Sequence, residues 1–519
     1  MSALSARREQ WLVRTNVRRE RAAHAGGQDV RAPGSDKTSL HLARRPKARP
    51  LKILPPETIK YPPLSPDLSG SWTKLLRVFG PGAIIASVTV GTGETIFAPR
   101  VGAVFGYAML WVVLAAVVFK AVQVYAGARY IVLTGEHPLR AWSRIPGPRA
   151  WVTKLLGLVS IVAFPMWMAA LSDALASLCI WITGIGASSS WGRPLWGTAI
   201  IFTATTLSLI QTYNVVERVS TLILVLKMAL ILLAILLVKP DWAAALWGML
   251  VPHLPAYDPW VTAKYPDFIG RTVFFEMAVL MGAVGGGVQD YLGYVGFLRE
   301  KKWGAAGQAS DEPGKLSQEP GVISRGLSWL RAPALDTTIS FGSVLLITTC
   351  FMILGAAVLH PLRLVPTDAD LYSQQSKFLG LIHPQLVSVY KAGVFFAIFG
   401  AIYGMLPVYA RTTYEISIAI WPKRSWSFDR LRLPVILYTA VGGLLLLWTG
   451  FKTVVIAGIV APFAGVLGCG LWCLAMIWVE WKQLPTVYRM SKWLLALTVI
   501  AGITMTAIGI YVTAFTWWR

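Results

Sequence analysis

The sequence predicts an all-α polytopic membrane protein with about eleven transmembrane helices. Three observations predict it. Hydrophobic types make up 55% of the 519 residues and charged types only 14%, whereas a soluble domain carries about 25% charged residues. The apolar residues fall in blocks, and a block of roughly 20 residues crosses a hydrocarbon core about 30 Å thick as a helix. Lys and Arg gather in the N-terminal tail and between certain blocks, while Trp and Tyr sit largely near block ends, as an interfacial belt does. The formal net charge of +23 is therefore read as membrane topology. No basic stripe interleaved with aromatics points to nucleic acid.

In chain order, residues 1–70 are polar, rich in Arg and Pro, and hold no apolar block. They read as a basic, disordered cytoplasmic tail without a signal peptide. Within it, Ser5 to Ala23 has the alternative of a basic helix lying on an anionic membrane face. Residues 71–519 form the transmembrane domain. Its spans are placed at 75–105, 107–133, 152–184, 195–212, 217–238, 271–298, 337–360, 384–414, 433–450, 453–480 and 491–517. Two five-helix halves, 75–238 and 271–480, make an inverted 5+5 repeat, and 491–517 is one extra C-terminal helix. The loop after span 6 holds Arg299, Lys301, Lys302, Lys315, Arg325 and Arg331, while that after span 9 has only Lys452. The contrast puts the N-terminus in the cytoplasm and the C-terminus outside. The expected location is a prokaryotic cytoplasmic membrane.

Cys179, Cys350, Cys469 and Cys473 all lie in apolar blocks and read as packing residues. The six histidines fall in the tail, in loops or at span ends, so none is expected as a metal ligand or proton relay at mid-membrane.

Two spans carry glycine-rich interruptions: Val90-Gly91-Thr92-Gly93-Glu94-Thr95 in span 1, and Gly282-Ala283-Val284-Gly285-Gly286-Gly287-Val288-Gln289-Asp290 in span 6. Glycine costs a helix about 1 kcal/mol per residue relative to Ala. Unwound backbone survives in a membrane only where protein or a cavity covers it. The interruptions occupy equivalent positions in the two halves, the arrangement of inverted-repeat transporters with discontinuous helices. Freed carbonyls there can hold a cation, and half-helix N-termini can face an anion. Scattered glycines such as Gly442 and Gly443 read as close-packing sites instead.

An acid beside such a break is costly unless it binds a cation, carries a proton or pairs with a base. Glu94 and Asp290 are the candidate metal ligands. Gly91, Thr92, Gly93, Gly286, Gly287 and Gln289 complete the candidate substrate site. Asp173 in span 3 and Glu276 in span 6 are candidates for proton coupling, Glu276 also for the access path. Internal ion pairing is the expectation for Lys120, Lys227 and Lys391.

Several stretches resemble the Nramp family of divalent metal transporters. They are Gly80-Pro81-Gly82-Ala83-Ile84-Ile85-Ala86-Ser87, Gly102-Ala103-Val104-Phe105-Gly106-Tyr107 with Leu110-Trp111, Ala128-Arg129, Thr134-Gly135-Glu136, and Gly282-Ala283. The resemblance runs through most of the membrane region and is strongest across spans 1 and 2. It implies the LeuT-type fold of the amino acid–polyamine–cation superfamily, and alternating access. The family's Asp-Pro-Gly-Asn of span 1 falls on Gly91-Thr92-Gly93-Glu94, and its Met-Pro-His of span 6 on Gly286-Gly287-Val288. The thioether and imidazole are thus replaced by an oxygen-rich set.

Oxygen ligands suit hard cations. The expectation is a secondary transporter of a hard divalent cation of the magnesium or manganese class. Proton coupling would run through Glu94, Asp290 or Asp173. A transporter of a small organic solute, such as an amino acid or amine, and a non-transporting membrane sensor are the alternatives. No enzyme motif, cofactor or nucleic-acid partner is expected; the partners are the lipid bilayer and a small cationic substrate.

Overall fold

The computed structural model describes residues 59–69, 80–89, 91, 93–210, 213–308, 315–368, 370–380 and 383–515. Helical segments coincide with every predicted span. Span 1 is α1 (Pro81–Thr89), a wide π-helical turn over Gly93–Phe97, and α2 (Ala98–Phe105). Spans 2 to 5 are α3 (Leu110–Thr134), α4 (Trp151–Thr183), α5 (Gly192–Ile210) and α6 (Tyr213–Val238). Span 6 is split into α7 (Val273–Ala283) and α8 (Val288–Lys301). Then come α9 (Arg331–Leu354), α10 (Leu386–Ile420), α11 (Phe428–Trp448), the two-part tenth span α12 (Thr453–Val460) and α13 (Gly468–Lys482), and α14 (Lys492–Phe515).

Among the described residues, seven helical stretches are long and apolar enough to cross a membrane by themselves, which makes this an integral membrane protein. The halves of spans 1 and 6 are not among them. They are 9, 8, 11 and 14 residues long, against roughly 20 for a full crossing. Each pair has to act as one interrupted span.

Small residues set how closely the helices approach. A Cβ on Gly442 would lie 2.8 Å from Pro165 Cβ, and one on Gly443 would lie 2.4 Å from Met168 Cγ. These glycines of α11 therefore admit the α4 surface, in line with their packing role.

Three features differ from the sequence reading. First, the tail does not stay free up to residue 70. Ile59 and Tyr61 are buried; Ile59 N donates to Lys315 O at 3.1 Å, and Tyr61 Oη donates to Leu133 O at 2.8 Å. The apolar side chains Ile59, Tyr61 and Leu68 join the core. Ser5 to Ala23 lies outside the described residues. Second, α8 and α10 run past their apolar blocks. The polar residues at those ends pair with one another: Arg299 Nε lies 3.4 Å and Arg411 Nε 3.2 Å from Glu415 Oε1. Paired charges let a helix continue where hydropathy alone ends it. Third, the predicted loops contain short helices at Trp242–Leu250, Pro259–Lys264 and Pro320–Trp329.

Candidate functional site

At the first break, α1 stops at Thr89 and the chain turns through Gly91. The Gly91 N–H donates to Glu94 Oε2 at 3.0 Å. The Gly91 carbonyl accepts from Thr95 N at 3.0 Å and from Thr95 Oγ1 at 2.5 Å. Glu94 is wholly buried, and its Oε1 accepts from Gly285 N of the second break at 3.0 Å. One carboxylate thus spans both interruptions. Gly93 shows how tightly they meet. A Cβ there would lie 2.3 Å from Ala283 O and 2.8 Å from Val284 N, so only glycine lets the two backbones touch.

The second break opens after Ala283. Gly285 and Gly286 have φ of 76° and 85°, the left-handed region that side chains disfavour. From Gly287 the chain enters α8. Asp290 Oδ2 accepts from Gly287 N at 2.9 Å and from Gln289 Nε2 at 2.7 Å. A carboxylate at a helix N-terminus meets both the free amides and the positive end of the dipole.

The stretch 282–287 has two polar edges. The amides of Gly285 and Gly287 serve the two acids. The carbonyls of Gly282, Val284 and Gly286 accept from Lys120 Nζ of α3 at 3.0, 2.5 and 2.7 Å. The Tyr291 hydroxyl donates to the Gly285 carbonyl. Two sequence expectations change here. Lys120 is held by backbone carbonyls, and among the described residues no carboxylate pairs with it. The freed carbonyls of span 6 already have donors from the protein itself.

A cavity of about 30 Å³ lies where the breaks meet. It is lined by Thr89, Gly91, Gly286 and Asp290 on one side and by Trp167, Leu171, Met405 and Tyr409 on the other. That is room for roughly two waters or one small ion. Thr89 Oγ1, Trp167 Nε1 and Gln289 Oε1 are buried with no hydrogen-bond partner. Orphaned polar atoms of this kind are costly unless water or a ligand meets them. Among the described residues no group of three or more His, Cys, Asp or Glu is placed to hold a metal. A metal here would need backbone, amide, hydroxyl or water oxygens besides the two acids.

The other predicted residues lie elsewhere. Asp173 Oδ2 accepts from Arg193 Nη2 at 2.8 Å, from Thr453 Oγ1 at 2.7 Å and from Thr453 N at 3.1 Å. It ties α4 to the starts of α5 and α12. Glu276, in the first turn of α7, is buried with Arg271 Nη1 at 3.6 Å. Lys391 Nζ stands 4.3 Å over the Trp181 ring, a cation–π contact, and among the described residues no acid pairs with it. Thr92 and the side chain of Lys227 lie outside the described residues.

The sequence reading missed several participants. Gln375 reaches in from the segment before α10 and donates through Nε2 to Thr95 O at 2.8 Å. Asp336 Oδ1 accepts from Gly80 N at 3.1 Å, and its Oδ2 accepts from Tyr294 Oη at 2.8 Å, so it fastens the start of α1 to α8 and α9. It stood one residue outside the predicted seventh span, among loop residues. Trp167, Met405 and Tyr409 read as ordinary apolar span residues. A buried acid bordering a span was the one available signal.

The model of the Natural resistance-associated macrophage protein-like (Nramp) family matches residues 82–514. The chain belongs to the Nramp family. No curated protein matches it at the sequence level. Among solved structures it is similar to a point mutant of the manganese transporter of Eremococcus coleocola, with a TM-score of 0.62 and 15% identity over 88% of this chain and 89% of that one. It is also similar to MhsT in complex with L-phenylalanine, with a TM-score of 0.50 and 15% identity over 84% of this chain and 98% of that one. These likenesses show the LeuT-type fold, with its two five-helix halves and discontinuous first and sixth helices. Within the Nramp frame, this chain carries Gly91 and Glu94 at the ends of its span 1 tetrad and glycines in span 6. What distinguishes it is therefore the site.

Proposed function

We propose that this Nramp-family chain is a secondary transporter working by alternating access, with a small cation bound where the two breaks meet. The first candidate is a hard divalent metal of the magnesium or manganese class. The observation that carries this reading is the pair of buried acids at touching breaks: Glu94 joins the two interruptions, and Asp290 faces the cavity. The cavity has room for one small ion. Ionised carboxylates offer only acceptor oxygens. Thr89 Oγ1 and Gln289 Oε1 are further oxygens without partners. Such donors suit hard cations. The structural likeness to a manganese transporter is consistent with this choice.

A second reading, an amino acid or amine, is favoured by one observation. Trp167 and Tyr409 wall the cavity, and the Trp167 indole N–H has no partner. Glu94, Asp290, Asp173 and Glu276 are the candidates for proton coupling. The loop charges favour a cytoplasmic N-terminus and an outer C-terminus; an impermeant label failing to reach a C-terminal tag on intact cells would reverse that.

The test is binding and flux with purified protein. Calorimetry and proteoliposome uptake are run across magnesium, manganese, iron(II), calcium, amino acids and small amines. Saturable uptake of a divalent ion supports the first reading. Uptake of an organic solute with no divalent binding supports the second. Binding without accumulation would defeat both and leave a sensor.

A further inference from the structure

Lys120 is wholly buried in α3 and meets the second break at its carbonyl edge. Its Nζ contacts the carbonyls of Gly282, Val284 and Gly286 at 3.0, 2.5 and 2.7 Å. Carbonyls only accept, so three of them require three hydrogens, and the group is an ammonium with every donor used. Rings of backbone carbonyls are the means by which proteins replace the hydration shell of an ion. The acids remain on the opposite edge of the same strip, each held by an amide. The charges around the breaks therefore come to two carboxylates and one fixed ammonium.

We propose that Lys120 is a tethered cation: it permanently fills the oxygen cage of the broken sixth span and so determines which cations the transporter accepts. With the cage filled, a substrate meets a site of net charge minus one and has to bind on the edge formed by Glu94, Asp290 and the cavity. The cage oxygens are withheld from it. This rests on the transport reading for its consequence, but the occupancy of the cage can be tested without transport. A lysine acting only as a helix cap would also sit near the negative end of α7. The distinction lies in whether a free ion can take its place.

The experiment uses the full-length protein in nanodiscs, wild type beside Lys120→Met and Lys120→Ala. Thermal midpoints are measured in sodium, potassium, ammonium and propylammonium chloride, with choline chloride holding ionic strength constant. The wild type should respond equally to all of these salts. The variants should gain a midpoint rise on the order of 2 °C or more with at least one small cation over choline. Propylammonium should favour Lys120→Ala, where the removed stem leaves space. Folded variants with no cation-specific rise would overturn the proposal. So would variants that stay unfolded in every salt, because a tethered cation must be replaceable. In liposomes, Lys120→Met should shift selectivity towards divalent over monovalent cations by about tenfold or more, since one positive charge has gone. If the midpoint shift appears while no cation is transported by any variant, the cage proposal stands and the transport reading fails. If transport is cation-selective and unaltered by Lys120→Met, the transport reading stands and the selectivity role fails.

Discussion

The two breaks do the same topological job with different materials. The first is short and brings a side chain: Glu94, buried and braced by two amides. The second is longer and brings backbone, with carbonyls on one edge, amides on the other and two glycines at positive φ. The first break supplies charge through Glu94. The second adds directed dipoles to the charge of Asp290, and it needs Lys120 and Tyr291 to satisfy the carbonyls it exposes. A membrane interior gives no water to unsatisfied backbone, so among the described residues the break with more open backbone is the one with more tethers.

That contrast can be broken at its seam. Gly93→Ala should have the largest effect. Its Cβ would lie 2.3 Å from Ala283 O, where the obstacle is backbone and cannot rotate away. Overpacking costs about 1–3 kcal/mol even against mobile side chains. We expect a lower thermal midpoint and loss of uptake, read by thermal unfolding and liposome flux; a variant as stable and active as wild type would show that the breaks do not touch.

Asp290→Asn separates charge from capping in the second break. An Asn side-chain oxygen accepts from an amide as a carboxylate oxygen does, so the Gly287 contact should persist and the thermal midpoint should hardly move. Cation affinity should fall by about tenfold, because the facing charge is lost. A stability loss without an affinity loss would make Asp290 a structural cap.

The smallest effect concerns what anchors α8. His137 lies between spans 2 and 3, and its Nε2 is 3.1 Å from Leu292 O while its Nδ1 accepts from Leu139 N at 3.2 Å. Those contacts fit a neutral ring with the proton on Nε2. Burial pushes the imidazole down to about 4, against about 6.5 in an unfolded chain. Between those values the unfolded chain takes up a proton that the folded one does not. Stability should therefore be full above about pH 6.5 and decline as pH falls towards 4. Thermal midpoints across that range should show a shallower decline in His137→Asn. An equal decline in both would remove His137 from the account.

Much of this organisation is legible in the sequence, for identifiable reasons. Hydropathy marks all the spans, because a bilayer forces long apolar blocks. Glycine runs mark both breaks, and Glu94 and Asp290 stand out as acids where acids are expensive. Other features depend on distant partners. Lys120 looks like any intramembrane lysine until the fold brings Gly282, Val284 and Gly286 around it, more than 160 residues along the chain. Gln375 reaches Thr95 across 280 residues. Ile59 and Tyr61 sit in a stretch whose average composition is that of a free tail, and only their docking reveals them. Composition reports the solvent a segment sees. It does not report which backbone atoms a side chain will find.

The central claim is that the acid of the first break belongs to the substrate site. It is tested most directly by proteoliposome accumulation of the cation found in the screen, comparing wild type with Glu94→Gln at matched protein content and thermal stability. Glutamine keeps an oxygen for one amide and removes the charge that bridges the breaks. The account predicts a fall in the initial uptake rate of about a hundredfold, the scale on which a buried charge contact is lost. Uptake by Glu94→Gln equal to wild type would contradict it.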